Sequence, residues 1–117
     1  MEEVSSRFKH NKVCVLVPTY NNELTLEKVL SDVLEFTDQV IVVNDGSTDS
    51  TRSILKKFPH IIQVNYLQNQ GKGYALRKGF ETAVENGYDY AITSGQRCLE
   101  ELFADESWQC ESYLRCL

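Results

Sequence analysis

The sequence is short of everything that would send it to a membrane or to a nucleic acid. No stretch approaches the roughly 20 consecutive apolar residues that span a bilayer. With Lys+Arg 12 against Asp+Glu 17 the net charge is −5, so there is no surplus of positive charge to hold a phosphate backbone. Met1-Glu2-Glu3-Val4 has no basic segment leading into an apolar core, so no secretion signal and a cytoplasmic chain are expected. There are only two histidines, His10 and His60, each alone beside a tail or a proline and expected to face solvent. The four cysteines show no C-x-x-C spacing and no nearby histidine, which argues against zinc and against a disulfide framework. Cys14 lies inside an apolar run and reads as a buried free thiol. A P-loop is missing, since G-x-x-x-x-G-K-[ST] does not occur, and there is no internal repeat.

What remains is the composition of one compact domain: 117 residues, 42% hydrophobic and 25% charged. From Lys12 to Thr93 the pattern alternates between two periods. Val13-Cys14-Val15-Leu16-Val17, stopped by Pro18, reads as a buried strand. Leu26, Val29, Leu30, Val33 and Leu34 then recur at helical spacing. Val40–Val43 is a second strand, ended by Asn44-Asp45-Gly46, and a helix follows with Ile54, Leu55 and Phe58 on one face. Residues 61–67 give a third strand, Ala75 to Val84 a third helix with Gly87 as its stop, and residues 88–93 a fourth strand. Strand–helix alternation implies right-handed crossovers and a parallel sheet flanked by helices. Residues 98–117 break the rhythm. They hold five acidic residues, one basic residue, three cysteines and the only tryptophan, with no clear strand signal. One helix with Leu99, Leu102 and Phe103 on a face would fit them.

Ligands of such sheets sit beyond the carboxyl ends of the strands. That rule selects three loops, each with a chemical reading and a plain structural one. In Asp45-Gly46-Ser47-Thr48-Asp49, a carboxylate at a strand end can accept from a ring N–H, and helix-start amides suit anions. The plain reading is a tight turn, made possible by Gly46, with good capping residues. In Pro18-Thr19-Tyr20-Asn21-Asn22-Glu23, Tyr20 can stack on a base while Thr19 or Glu23 bonds its edge or the ribose. Equally, Asn21 or Asn22 simply caps a helix while Tyr20 packs. In Asn69-Gln70-Gly71-Lys72-Gly73, glycines open a helix and Lys72 and Arg77 stand near its start, which suits a diphosphate. A dinucleotide fingerprint fails here because Leu76 takes the third glycine position and the run follows the third strand.

The three runs in this order, from Val17 to Glu23, Val42 to Asp49 and Asn69 to Gly73, resemble family 2 glycosyltransferases. They are most similar to the group that transfers sugars to polyprenyl phosphates, the dolichyl-phosphate-mannose-synthase-like enzymes. The resemblance covers roughly residues 12 to 93. It implies an α/β, Rossmann-like GT-A fold, here its N-terminal half, as residues 12–97 with an atypical tail at 98–117. It implies a UDP- or GDP-sugar donor held at Pro18, Thr19, Tyr20, Glu23, Asp45, Gly46 and Ser47, with Asp45 bonding the base, Thr19, Tyr20 and Glu23 lining base and ribose, and Lys72 or Arg77 near the diphosphate. It also implies a peripheral membrane acceptor reached from the cytoplasmic face, without a transmembrane segment.

The family uses a divalent metal, Mg or Mn, held by an Asp-x-Asp motif after the fourth strand and followed by Gly-Gln-His. This chain reads Thr93-Ser94-Gly95-Gln96-Arg97, so the expected metal ligands are absent. The expectation is therefore a donor-binding domain impaired in transfer, the alternative being a non-catalytic nucleotide-binding fragment or degenerate module. A nucleotidyltransferase fits less well, for want of a Gly-rich loop after the first strand. An uncovered edge on the fourth strand is expected to invite self-association.

Overall fold

The computed structural model describes residues 2–93 and 114–116. Helix α1 (Glu2–His10) leads into β1 (Val13–Thr19), α2 (Leu26–Leu34), β2 (Val40–Asp45) and α3 (Thr51–Leu55). Then come β3 (Ile62–Tyr66), α4 (Lys72–Glu85), β4 (Tyr90–Thr93) and β5 (Leu114–Cys116). The strands form one sheet in the order β3-β2-β1-β4-β5. The four expected strands are present and all their pairings are parallel.

Every residue of β2 is buried, and so is every residue of β1 except half-buried Pro18, which is why these segments read as unbroken apolar runs. Alternation inside those runs splits the core. Val13, Val15, Val17, Val40 and Val42 face Leu26, Leu30, Val33 and Leu55 of α2 and α3. Cys14, Leu16, Ile41 and Val43 face Ala75 and Ala83 of α4. A Cβ at Gly79 would run into the side chain of Leu16, so glycine is what lets α4 lie close on β1. Burial raises the Cys14 thiol pKa to about 12, as expected of an inert core thiol. His10 and His60 are exposed.

The structure departs from the sequence reading in several places. Pro18 does not stop β1 but sits within it, opposite Val43. The β4 ladder on the other side of β1 ends at Leu16↔Thr93, so a residue without an N–H is tolerated beyond it. β2 runs on to Asp45, which pairs with Tyr66 and is 3% exposed rather than lying in a loop. Helix α1 was not anticipated. Its Phe8 is fully buried, a contribution of about 1.5–3 kcal/mol, and the Gln39 side chain donates to Phe8 O and Val13 O, tying α1 to β1.

The outer edge of β4 is not bare. β5, from the segment read as lacking strand signal, pairs with it antiparallel, Tyr90↔Cys116 to Ile92↔Leu114. The premise for self-association at that edge therefore falls. The helix read at Leu99, Leu102 and Phe103, the Gly95-Gln96 pair, and Cys98 and Cys110 lie outside the described residues. Among the described residues no helix is long and apolar enough to cross a membrane.

Candidate functional site

The chain changes direction in the sheet at β1: β2 and β3 extend to one side of it, β4 to the other. The loop after β1 stands at that switch, the position where open parallel sheets bind ligands. The loops after β2 and β3 adjoin it in strand order.

The first two loops are interlocked. Asn21 has a φ of 50°, which asparagine tolerates better than most residues. From there its Oδ1 accepts from the amides of Thr48 (2.8 Å) and Asp49 (3.4 Å), while its own amide donates to Ser47 Oγ at 3.0 Å. The Asn22 amide donates to Thr51 Oγ1 and its side chain to Thr19 Oγ1. The Glu23 amide donates to Asp49 Oδ2 at 3.2 Å, and Glu23 Oε2 accepts from the Ser50 amide at 3.0 Å. Asp49 Oδ1 accepts from the Thr51 amide at 2.9 Å, so α3 starts on two carboxylates, one borrowed from the neighbouring loop. Desolvation works against the Asp49 charge, yet its hydrogen bonds from Thr51 and Glu23 outweigh it and hold its pKa below the ordinary carboxylate value.

The third loop is clamped by Asp45. Its Oδ1 accepts from the Gln70 amide at 2.8 Å, and its Oδ2 from the Gly71 amide at 3.0 Å and Asn69 Nδ2 at 2.9 Å. Asn69 Nδ2 also donates to the Asp45 carbonyl at 3.0 Å. Gly46, at φ +69°, lets the loops meet: a Cβ there would strike the Asn69 amide and come within 2.6 Å of Gln68 C. Below this clamp the Tyr66 ring packs edge-on against Tyr74, centroids 5.4 Å apart. The Tyr66 hydroxyl is buried near the Asp45 carboxylate, and among the described residues no group stands in full hydrogen-bonding geometry with it. Burial, and secondarily the nearby Asp45 carboxylate, push its pKa well up and keep it protonated.

The residues expected at the site thus fall into groups. Thr19, Glu23 and Ser47 spend side-chain bonds on the loops themselves. Pro18 and Gly46 shape the backbone. Asp45 is at the strand end but engaged. Tyr20, at 47% exposure, presents its ring to solvent. Lys72 opens α4 behind the cap residue Gly71, and no side-chain bond caps that helix. Arg77 is exposed too, but five residues on it stands about 7.5 Å along the helix and about 140° around it. Neither cation makes an ion pair among the described residues. Sequence reasoning missed Asn69 as the partner of Asp45, Asn44, which bridges to Asn65 across β2 and β3, and the cross-loop role of Asn21. The signal was there: an asparagine stands at the end of each of the first three strands, the residue type that most readily bonds irregular backbone.

Among the described residues no three His, Cys, Asp or Glu side chains come together. β4 ends at Thr93, and the sequence continues Ser94-Gly95-Gln96-Arg97 without a carboxylate.

A mostly parallel sheet covered on both faces, with its polar loops gathered at the strand ends, defines an α/β domain of the GT-A type. The chain belongs to glycosyl transferase family 2, whose sequence pattern matches residues 14–93. It is 35% identical over 80 residues to a dolichyl-phosphate beta-glucosyltransferase of Trichomonas vaginalis, covering 56% of this chain and 25% of that protein. It is 34% identical over 86 residues to the poly-beta-1,6-N-acetyl-D-glucosamine synthase of Staphylococcus aureus, covering 68% and 20% respectively. Its fold is similar to that of glucosyl-3-phosphoglycerate synthase from Mycobacterium tuberculosis, crystallised with Mg2+ and UDP. That match has a TM-score of 0.56 at 24% identity, over 80% of this chain and 36% of the other. The chain therefore spans only a fifth to a quarter of the length of these two curated relatives.

Proposed function

We propose that the chain is the donor-binding part of a glycosyltransferase and holds a UDP- or GDP-sugar across the ends of β1, β2 and β3. The observation that carries this reading is the loop cluster: three loops knitted together by side chains, with Tyr20 left exposed and Lys72 at an uncapped helix start. Tyr20 stacks on the base, and Asp45 takes a ring N–H. Thr19, Glu23 and Ser47 hold the pocket's shape beside the ribose. The diphosphate lies at the first turn of α4, where free amides and Lys72 favour an anion, and Arg77 contributes at longer range. The acceptor, by analogy with the dolichyl-phosphate beta-glucosyltransferase of Trichomonas vaginalis, is a polyprenyl phosphate.

A second reading, a nucleotide-binding module that does not itself transfer sugar, is favoured by the missing Asp-x-Asp after Thr93. Divalent cations neutralise a leaving diphosphate, and losing that removes several kcal/mol of transition-state stabilisation.

One titration series tests both. Calorimetry on the chain with UDP and GDP is expected to give weak binding that magnesium or manganese does not change, and no sugar transfer. Asp45→Ala is expected to weaken binding about tenfold or more. Because Asp45 also clamps a loop, Tyr20→Ala serves as the partner variant, since its ring makes no described cross-loop bond. Unchanged affinity in both variants would remove the site from these loops, and manganese-dependent turnover would refute the second reading.

A further inference from the structure

The two outer strands of the sheet are finished differently. One is the short β5, which carries Arg115. The other is β3, and among the described residues no strand lies beyond it. The direction of its main-chain bonds can be followed across the sheet. The Val15 amide donates to the Gln39 carbonyl at 2.8 Å, so Val15 turns its main-chain groups towards β2. Alternation along the parallel ladders then directs Ile41 and Val43 back to β1, and Val42 and Asn44 on to β3. In β3, Ile62, Val64 and Tyr66 therefore bond to β2, while Gln63 and Asn65 turn N–H and C=O outward.

That edge is unguarded. Edge strands are ordinarily protected by charge, proline or a bulge. Residues 61–67 carry no charge and no proline, and the register with β2 is unbroken. Ile62, Val64 and Tyr66 lie on the α4 side of the sheet and are only half-buried, whereas the inner strands are closed over. Leu67, just past the strand, is 82% exposed.

The order of side chains is also self-complementary. An antiparallel copy centred on Val64 sets Ile62 against Tyr66 of the other copy and Val64 against its own counterpart, all on the α4 side. Gln63 falls opposite Asn65, the residues whose main-chain groups point outward, so each such pair can exchange both N–H···O bonds. Val64 forms the close pair without main-chain bonds, where side chains approach most nearly. One step further on, Leu67 meets Ile61, which gives the exposed leucine an apolar neighbour. A centre on Gln63 or Asn65 leaves part of the strand unmatched.

We propose that the outer edge of β3 is a self-association surface, at which two copies of this chain pair antiparallel through Ile62–Tyr66 and continue one sheet across a two-fold axis at Val64. The partner is a second copy because apolar and amide positions both match under that axis. The assembly closes at two because the pairing uses up β3 in both copies.

Sedimentation of the whole chain from micromolar to near-millimolar concentration tests this, with hydrogen exchange measured at both ends of the range. A monomer–dimer equilibrium is expected, and the Gln63 and Asn65 amides are expected to exchange about tenfold slower at the concentrated end. The Val64 and Tyr66 amides, bonded to β2, are expected to change far less. A chain that stays monomeric throughout would overturn the proposal. So would a dimer in which Gln63 and Asn65 exchange as before, because the contact would then lie elsewhere, and so would open-ended growth. The exchange pattern needs no variant to fold. Asn65→Pro removes an N–H that the single chain does not use in its ladder, and is expected to weaken the dimer about tenfold or more. Asn65→Ala keeps that N–H but loses the side-chain bond from Asn44. Equal weakening by both variants would assign the effect to that side-chain bond and overturn the main-chain pairing.

Discussion

Between Asn21 and Gly71 the strand-end loops hold one another through side chains, and nearly every polar group of the motif is committed to a neighbour. The first turn of α4, a few residues further on, is built in the opposite way: Lys72 is exposed, unpaired among the described residues, and follows a glycine cap. The difference follows from what each region would meet. A base is flat and rigid and carries a fixed pattern of donors, so a site for it gains from being shaped before the ligand arrives. A diphosphate is flexible and spreads its charge over several oxygens, so amides and one mobile cation can adapt to it.

That contrast can be broken most forcefully at Gly46. Gly46→Ala puts a side chain at a left-handed φ and against the backbone of residues 68 and 69. The expected loss is about 2–5 kcal/mol of stability, read by chemical denaturation. A loss under about 0.5 kcal/mol, the level of an ordinary surface change, would mean that the loops do not meet as described. Asn21→Ala comes next. It removes an acceptor of two amides and places alanine at a φ of 50°, for an expected loss of about 1–2 kcal/mol. The cut should also show as faster hydrogen exchange at Thr48 and Asp49 with β3 unaffected.

The locked region also carries a pH signature. The Asp49 carboxyl has a lowered pKa in the folded chain, so the stability it contributes is present above the ordinary carboxylate value of 3.8 and is lost as pH falls through the lower folded one. A melting series from neutral pH downwards is expected to show Asp49→Asn converging with the unaltered chain at the acid end. Parallel curves would rule the linkage out. At the open region the effect on stability is smallest. Lys72→Ala is expected to leave stability within about 0.5 kcal/mol but to weaken UDP while leaving uridine unchanged. A uridine affinity that fell equally would place Lys72 with the base.

These two regions were unequally legible in the sequence. The strands were plain because β1 and β2 are buried on both faces and so are written as continuous apolar runs. α1 was hidden because its segment holds only two apolar residues, Val4 and the deeply buried Phe8, too few to show a helical period. β5 was hidden because its three residues owe their strand form to pairing with β4. At the site, Tyr20 and Lys72 could be named because their chemistry resides in one exposed side chain. The roles of Asp45, Glu23 and Ser47 could not, because their partners are backbone amides of other loops, which folding brings near and no local pattern announces. Asn69 was passed over for the same reason, although it stood inside a run already singled out.

The strand order has a consequence for how the chain comes into being. β1 is made early and becomes the middle of the sheet. Its partner β2 soon follows, but the β4 residues opposite Val13 to Leu16 are the last part of the parallel core to be synthesised. Until they arrive, a run of five apolar residues has one unsatisfied ladder edge, and until α4 is made the face of Cys14 and Leu16 is uncovered as well. Pairings this distant in sequence close slowly, and an open apolar edge is what other chains can join. The strand that anchors the finished fold is thus its most exposed liability while the chain is still being made.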